Sequence, residues 1–403
     1  MVQRQTDPSS KVHRRLQSDL MFCCRLCAAD PATARQLLEG RREPIDWQAL
    51  VDVAKSYRLE MLLYRVAVSH LADFVSPSAL DALRKLYADN LARGRALTAE
   101  LLRVMDRLAS QQIPTIAFKG PVLGAQFYGD IALRIYADLD VLVQERDVDR
   151  VTQLMPELGY RKVSDMSLSW ECSFQRETGE SVDVHWSITE KIHQFPLAAQ
   201  ELWARRVTVA MQGSSVPALC AEDALLMICF NGLTEDWQRC DRIADVAELL
   251  RTSSAIDWPK FLDLCRRRGC ERLVLVGLHL AKELFGARLP EPVAARLRSH
   301  DRALRRAGYA IDQFMHFMVT STDRRSGFDH WRHSIRMRER QWERIPYYQS
   351  FAYSLFKPKD DDAPWLRTGR QVLYRVLRLP LLWIKQGLKG LGHANLKETD
   401  NHP

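Results

Sequence analysis

The stretch Tyr136-Ala137-Asp138-Leu139-Asp140-Val141-Leu142-Val143 decides the reading of this chain. Its apolar, β-branched run predicts a strand. A strand sends alternate side chains to the same face. Asp138 and Asp140 therefore point one way, and Leu139, Val141 and Val143 the other. Two carboxylates side by side repel each other unless a cation lies between them. Hard oxygen donors at this spacing suit Mg²⁺, which also keeps substrate phosphates in its shell. The competing reading is a pair of solvated acids at a strand start.

Working outward, the upstream segment Ile113-Pro114-Thr115-Ile116-Ala117-Phe118-Lys119-Gly120-Pro121 reads as a short strand, a tight glycine turn and a helix opened by proline. Helix N-termini attract anions, and Lys119 adds a point charge beside this one. Downstream, Glu180-Ser181-Val182-Asp183-Val184-His185-Trp186 alternates again. Asp183 and His185 share one face, which supplies a third carboxylate on a second strand. His185 is placed to orient Asp183 or to hydrogen-bond an acceptor, although a lone histidine is more often a structural donor.

Together Lys119-Gly120, Tyr128-Gly129-Asp130, Arg134, Asp138-Leu139-Asp140-Val141-Leu142-Val143 and Asp183-Val184-His185-Trp186 resemble the uncharacterised nucleotidyltransferase family, within the DNA polymerase β-like superfamily. The resemblance is tightest over Ile113 to Trp186 and runs more loosely to about Phe285. The superfamily usually carries Gly-Gly or Gly-Ser before its Asp-x-Asp; here Lys-Gly stands in that place, as is usual in this branch.

The resemblance implies an enzyme that transfers NMP from an NTP to a hydroxyl or phosphate of a small molecule, peptide or sugar. It implies Mg²⁺, two ions, held by Asp138, Asp140 and Asp183. Lys119, Gly120 and Arg134 would contact the nucleotide phosphates, with His185 on the acceptor side. For Arg134 a structural ion pair competes with that role. The alternatives are a protein that binds a nucleotide or partner on the same fold without turnover, and a template-independent enzyme acting on RNA.

Composition sets the bounds. The chain has 403 residues, against roughly 150 for a typical domain, so several units are expected. No apolar run approaches the roughly 20 residues needed to span a bilayer, and Met1 to Arg15 lacks the apolar centre of a signal peptide. A cytoplasmic protein is expected. Nine cysteines at irregular spacing, with a lone Cys24-x-x-Cys27, read as buried free thiols rather than a metal or redox site. The net charge of +8 permits an acidic partner and selects none.

The expected fold class is α+β: a small mixed sheet forming a nucleotidyltransferase core inside a mainly helical chain. The expected divisions are an N-terminal helical region at 1–112, the core at 113–219, a helical domain at 220–320 and a basic helical extension at 321–403. Short helices precede a long one from Ser78 to Gln112, with Ser78 as its cap. Helices are expected at Pro121 to Phe127 and Arg146 to Leu158. Edge strands are expected at Leu202 to Val209 and Ser215 to Leu219, and a further helix at His300 to Met318. The Arg- and Trp-bearing stretch from Arg324 to Arg344 reads as a solvated helix face ahead of a nucleic-acid surface. Leu373 to Leu388 reads as a docked helix ahead of a peripheral membrane contact.

Overall fold

The computed structural model describes residues 8–41, 43–164, 170–189, 195–252, 256–305 and 311–320, with 335, 337–341 and 344–349 beyond them. The chain divides into two units, Met1–Glu339 and Arg340–Pro403. The first is described here. The Leu373–Leu388 helix and most of the Arg324–Arg344 stretch lie outside the described residues.

Four helices lead in: α1 (Pro8–Cys27), α2 (Pro31–Glu39), α3 (Trp47–Ser56) and α4 (Glu60–His70). Next is α5 (Pro77–Ser110), 34 residues and so about 50 Å long. Its cap is Ser76 rather than Ser78: the Ser76 hydroxyl accepts from Ala79 N, and Pro77 takes the first helical position, where its missing N–H costs nothing. The core follows as β1 (Ile116–Ala117), α6 (Pro121–Leu123), β2 (Asp138–Leu142), α7 (Val148–Leu154), β3 (Tyr160–Ser164), β4 (Glu171–Arg176) and β5 (Ser181–His185).

The expected Pro121–Phe127 helix is one α-turn that widens into a π turn over Gly124–Tyr128. The Arg146–Leu158 helix is α7 flanked by two 3₁₀ turns and closed at Gly159. After β5 come α8 (Ala199–Arg205), β6 (Val207–Met211) and β7 (Ser214–Ala218), so the first half of the expected Leu202–Val209 strand is helical. The helical half is α9 (Ala221–Thr234), α10 (Cys240–Thr252), α11 (Trp258–Arg268), α12 (Glu271–Phe285), α13 (Glu291–Leu304) and α14 (Ile311–Thr320). The helix expected from His300 to Met318 falls on the end of α13 and on α14, and its middle, 306–310, lies outside the described residues.

The seven strands form one mixed sheet in the order β3-β4-β5-β2-β1-β7-β6. β2 runs parallel to β5, and β1 parallel to β7; the other pairings are antiparallel. The alternation in β2 sorts its side chains as expected. Leu139, Val141 and Val143 are buried against Leu101, Val104 and Leu108 of α5. On the other face, Ile116, Phe118 and Leu142 join the large core shared by the N-terminal and C-terminal helices. The Asp-x-Asp side chains lie on that second face, toward the helical mass. The chain is thus a mainly helical α+β protein around a small mixed sheet.

α5 also fixes the entry to β2. Tyr87 Oη donates to Asp130 at 2.7 Å, and Asn90 Nδ2 donates to the carbonyls of Ala132 and Arg134 at 2.7 and 3.2 Å. Tyr136 reaches within hydrogen-bond range of the Gly94 carbonyl; a Cβ at Gly94 would meet its hydroxyl at 3.0 Å. The loop that delivers Asp138 is therefore pinned at several points. No described helix is long and apolar enough to cross a membrane.

Candidate active site

Parallel pairing of β2 with β5 places Asp138 beside Ser181, Asp140 beside Asp183 and Leu142 beside His185. The two strands thus bring two carboxylates into direct neighbourhood. Ligand atoms of Asp140, Asp183 and His185 all lie within 4.8 Å of one another. Asp138, at the open head of β2, is exposed and stands outside that group of three.

Asp140 is buried and its Oδ1 is doubly engaged. Lys119 Nζ donates to it at 2.8 Å, and His185 Nε2 lies 3.0 Å away. Burial alone would raise this carboxyl; the Lys119 charge and the His185 contact outweigh that and hold it well below the usual carboxylate range. Its neighbour Asp183 goes the other way. Burial and then the charge of Asp140 push its carboxyl up, against a hydrogen bond from Ser173. Lys119, expected on phosphate, lies on Asp140 in this state, one cation among several acids.

The turn between β1 and α6 is built for close approach. Gly120 has φ +55°, and a Cβ there would lie 3.1 Å from the Asp138 carbonyl oxygen. Only glycine meets both conditions without strain. The Gly120 backbone therefore passes close to that of Asp138.

Arg134, expected on phosphate or in a structural ion pair, makes the ion pair in this structure. Its guanidinium is buried, with Nε and Nη2 on the two oxygens of Asp245 at 2.8 and 3.0 Å; only Nη1 reaches back, to the Gly120 carbonyl at 3.4 Å. Tyr128 Oη completes the set, donating to Asp245 at 2.6 Å. A bidentate guanidinium–carboxylate pair is a strong structural contact, and it takes the donors that a phosphate would need. Arg134 is a brace between the Gly120 turn and α10. Trp237, in the helical half, is core.

His185 departs from expectation in its partner. Its ring leans across β2 to Asp140 instead of orienting Asp183. Its Nδ1 lies 3.2 Å from Oε2 of Glu171, a residue that the reading of the sequence passed over. Burial pushes the Glu171 carboxyl up. The signal for Glu171 was present: with the hairpin turn at Thr178-Gly179, counting back along β4 sets Ser173 opposite Asp183 and Glu171 opposite His185.

All nine cysteines are free thiols, as expected, and burial pushes those of Cys24 and Cys27 up.

A family profile described as uncharacterised nucleotidyltransferase matches residues 43–286. The solution structure of the antibiotic-resistance factor ANT(2'')-Ia is similar at 15% identity, over 53% of this chain and 96% of that one, with a TM-score of 0.28. The crystal structure of an antigenic nucleotidyltransferase-like protein from Paracoccidioides brasiliensis is similar at 16% identity, over 48% and 92%, also at 0.28. Scores this low carry no argument about substrate or mechanism. No curated protein sequence matches the chain.

Proposed function

This chain belongs to the uncharacterised nucleotidyltransferase family, and on that premise we propose that it transfers NMP from an NTP to a hydroxyl or phosphate on a small-molecule, peptide or sugar acceptor. The observation that carries this reading is the register of β2 on β5, which sets the buried Asp140 beside Asp183 on the face that also bears Asp138.

The donor set fits a divalent cation. Asp140 and Asp183 present carboxylate oxygens side by side, and burial and the Asp140 charge disfavour the Asp183 carboxyl as an anion. Asp138, Asp140 and Asp183 would hold the ions; such oxygen donors suit Mg²⁺. When bound, the ions neutralise the triphosphate and stabilise charge on the attacking and leaving oxygens.

The chain's own groups do the rest. Lys119 leaves Asp140 for the triphosphate once that carboxylate has another partner. Gly120 lets the phosphates approach the backbone, and Arg134 steadies the turn through the Gly120 carbonyl. Asp183 takes the proton from the acceptor as its oxygen bonds to the α-phosphorus and pyrophosphate departs. Nine free thiols suit a reducing compartment, and the cytoplasm is the proposed location.

The test supplies α-³²P-labelled NTP, a divalent salt and a small-molecule extract. Label should pass to a product with matching pyrophosphate release. Asp138→Ala and Asp140→Ala should each do neither while keeping the wild-type circular dichroism. Transfer retained in both variants would refute the assignment.

A further inference from the structure

Both sides of the His185 ring carry chemistry that the proposed reaction leaves unused. The ring is wholly buried, with Phe118 edge-on at 4.9 Å and Trp170 tilted against it at 4.9 Å, so it has little freedom to turn away. Each ring nitrogen faces a carboxylate: Nδ1 lies 3.2 Å from Glu171 Oε2, and Nε2 lies 3.0 Å from Asp140 Oδ1. A neutral imidazole has one N–H and one lone pair. Whichever nitrogen holds the hydrogen, the other turns its lone pair on an acid.

The two arrangements are not equivalent. With the hydrogen on Nε2, a lone pair faces Glu171, and Asp140 Oδ1 has two donors, His185 and Lys119. With the hydrogen on Nδ1, Glu171 Oε2 stands 3.2 Å away but out of line for a hydrogen bond in this structure, and it accepts once its carboxylate turns toward the ring. The Nε2 lone pair then points to where Asp140 and Asp183 also offer oxygens, all within 4.8 Å. A cation there satisfies all three groups at once. A carboxylate that accepts from one imidazole nitrogen while the other binds metal is the usual support of a histidine ligand; it fixes the ring and raises its basicity.

We propose that His185 is a metal ligand through Nε2, that Glu171 is the positioning residue holding it in that role, and that this site takes a divalent first-row transition ion in preference to Mg²⁺. The inference rests on the divalent-cation reading above and sharpens it. Imidazole nitrogen suits transition ions, whereas Mg²⁺ favours oxygen donors and retained water. The register of β4 on β5 sets Glu171 opposite His185.

The experiment uses Mn²⁺, the weakest binder of its series, with the full chain and no nucleotide. Pulsed electron paramagnetic resonance should show nitrogen modulation from a coordinated imidazole, and ¹⁵N-histidine labelling should change that pattern. Mn²⁺ should bind at least about tenfold more tightly than Mg²⁺ in competition. Glu171→Gln should weaken Mn²⁺ by about 10- to 100-fold, the usual effect of losing such a support, with Mg²⁺ affinity and the melting temperature nearly unchanged. A merely structural Glu171 would shift both ions together or neither, and that result overturns its role. Mn²⁺ bound through oxygen donors alone overturns the inference and leaves the nucleotidyl-transfer reading standing. Failure of Mn²⁺ and Mg²⁺ to bind, with or without NTP, overturns both.

Discussion

Two buried charge clusters lie a few residues apart in this protein, and they are built to opposite rules. At the brace, Arg134 meets both oxygens of Asp245, Tyr128 adds a third hydrogen bond, and each charge has its match. Burial alone would lower the Arg134 pKa, but Asp245 raises it above the ordinary arginine value. At the site, Asp140, Asp183 and Glu171 gather around Lys119 and a histidine, and two of the three carboxyls are pushed up. Matched charges specify structure. Mismatched charges held in place by a rigid sheet are characteristic of sites that await a ligand.

That contrast predicts where substitutions fall. The largest effect is expected for Asp140→Ala, which should cost several kcal/mol of transition-state stabilisation, about a thousandfold or more in transfer. Its thermal stability should fall as well, but by less than at the brace, because Lys119 keeps some contact with water. The brace should respond in reverse. Asp245→Asn strands the buried Arg134 and should cost about 3–5 kcal/mol in urea unfolding. Asp183→Asn sharpens the difference: transfer should collapse while unfolding free energy stays level or rises by about 1 kcal/mol, since a repelled carboxylate is gone.

Smaller effects follow at the edges. Gly120→Ala forces a side chain into φ +55° against the Asp138 carbonyl and should cost about 1–3 kcal/mol, with NTP affinity reduced as the turn shifts. Glu100, which ties α5 to β3 and β4, behaves like the brace. Burial would raise its carboxyl, but Arg103 and Tyr160 hydrogen bonds and nearby Arg176 hold it below the usual range. A depressed native pKa stabilises above the unfolded value, and that stability is lost as pH falls through the native one. Glu100→Gln should therefore flatten the acid limb of a stability–pH curve measured below about pH 5, by about 1 kcal/mol.

How much of this was legible in the sequence depends on the range of the information needed. Period-two alternation placed Asp138 and Asp140 on the correct face of β2, and Asp183 on a second strand that indeed adjoins it. α12 (Glu271–Phe285) is legible because its apolar spacing is sustained and Gly286 marks its end. The start of α5 was misplaced by two residues because Ser76 and Ser78 compete, and Pro77 decides for the first. The helical half of Leu202–Val209 was missed because its alternation is too short to exclude a helix turn before β6. Arg134 was not assignable, since Asp245 lies 111 residues away in sequence. Glu171 is assignable in principle, because the hairpin turn fixes its register opposite His185.

The central claim is that the Asp140–Asp183 pair is a divalent-cation site through which NTP is held. Calorimetric titration of NTP into the intact chain, with and without a divalent salt, tests it most directly. Binding should require the ion in the wild type and disappear in Asp140→Ala. Equal NTP affinity with and without the ion, or in the variant, would contradict it.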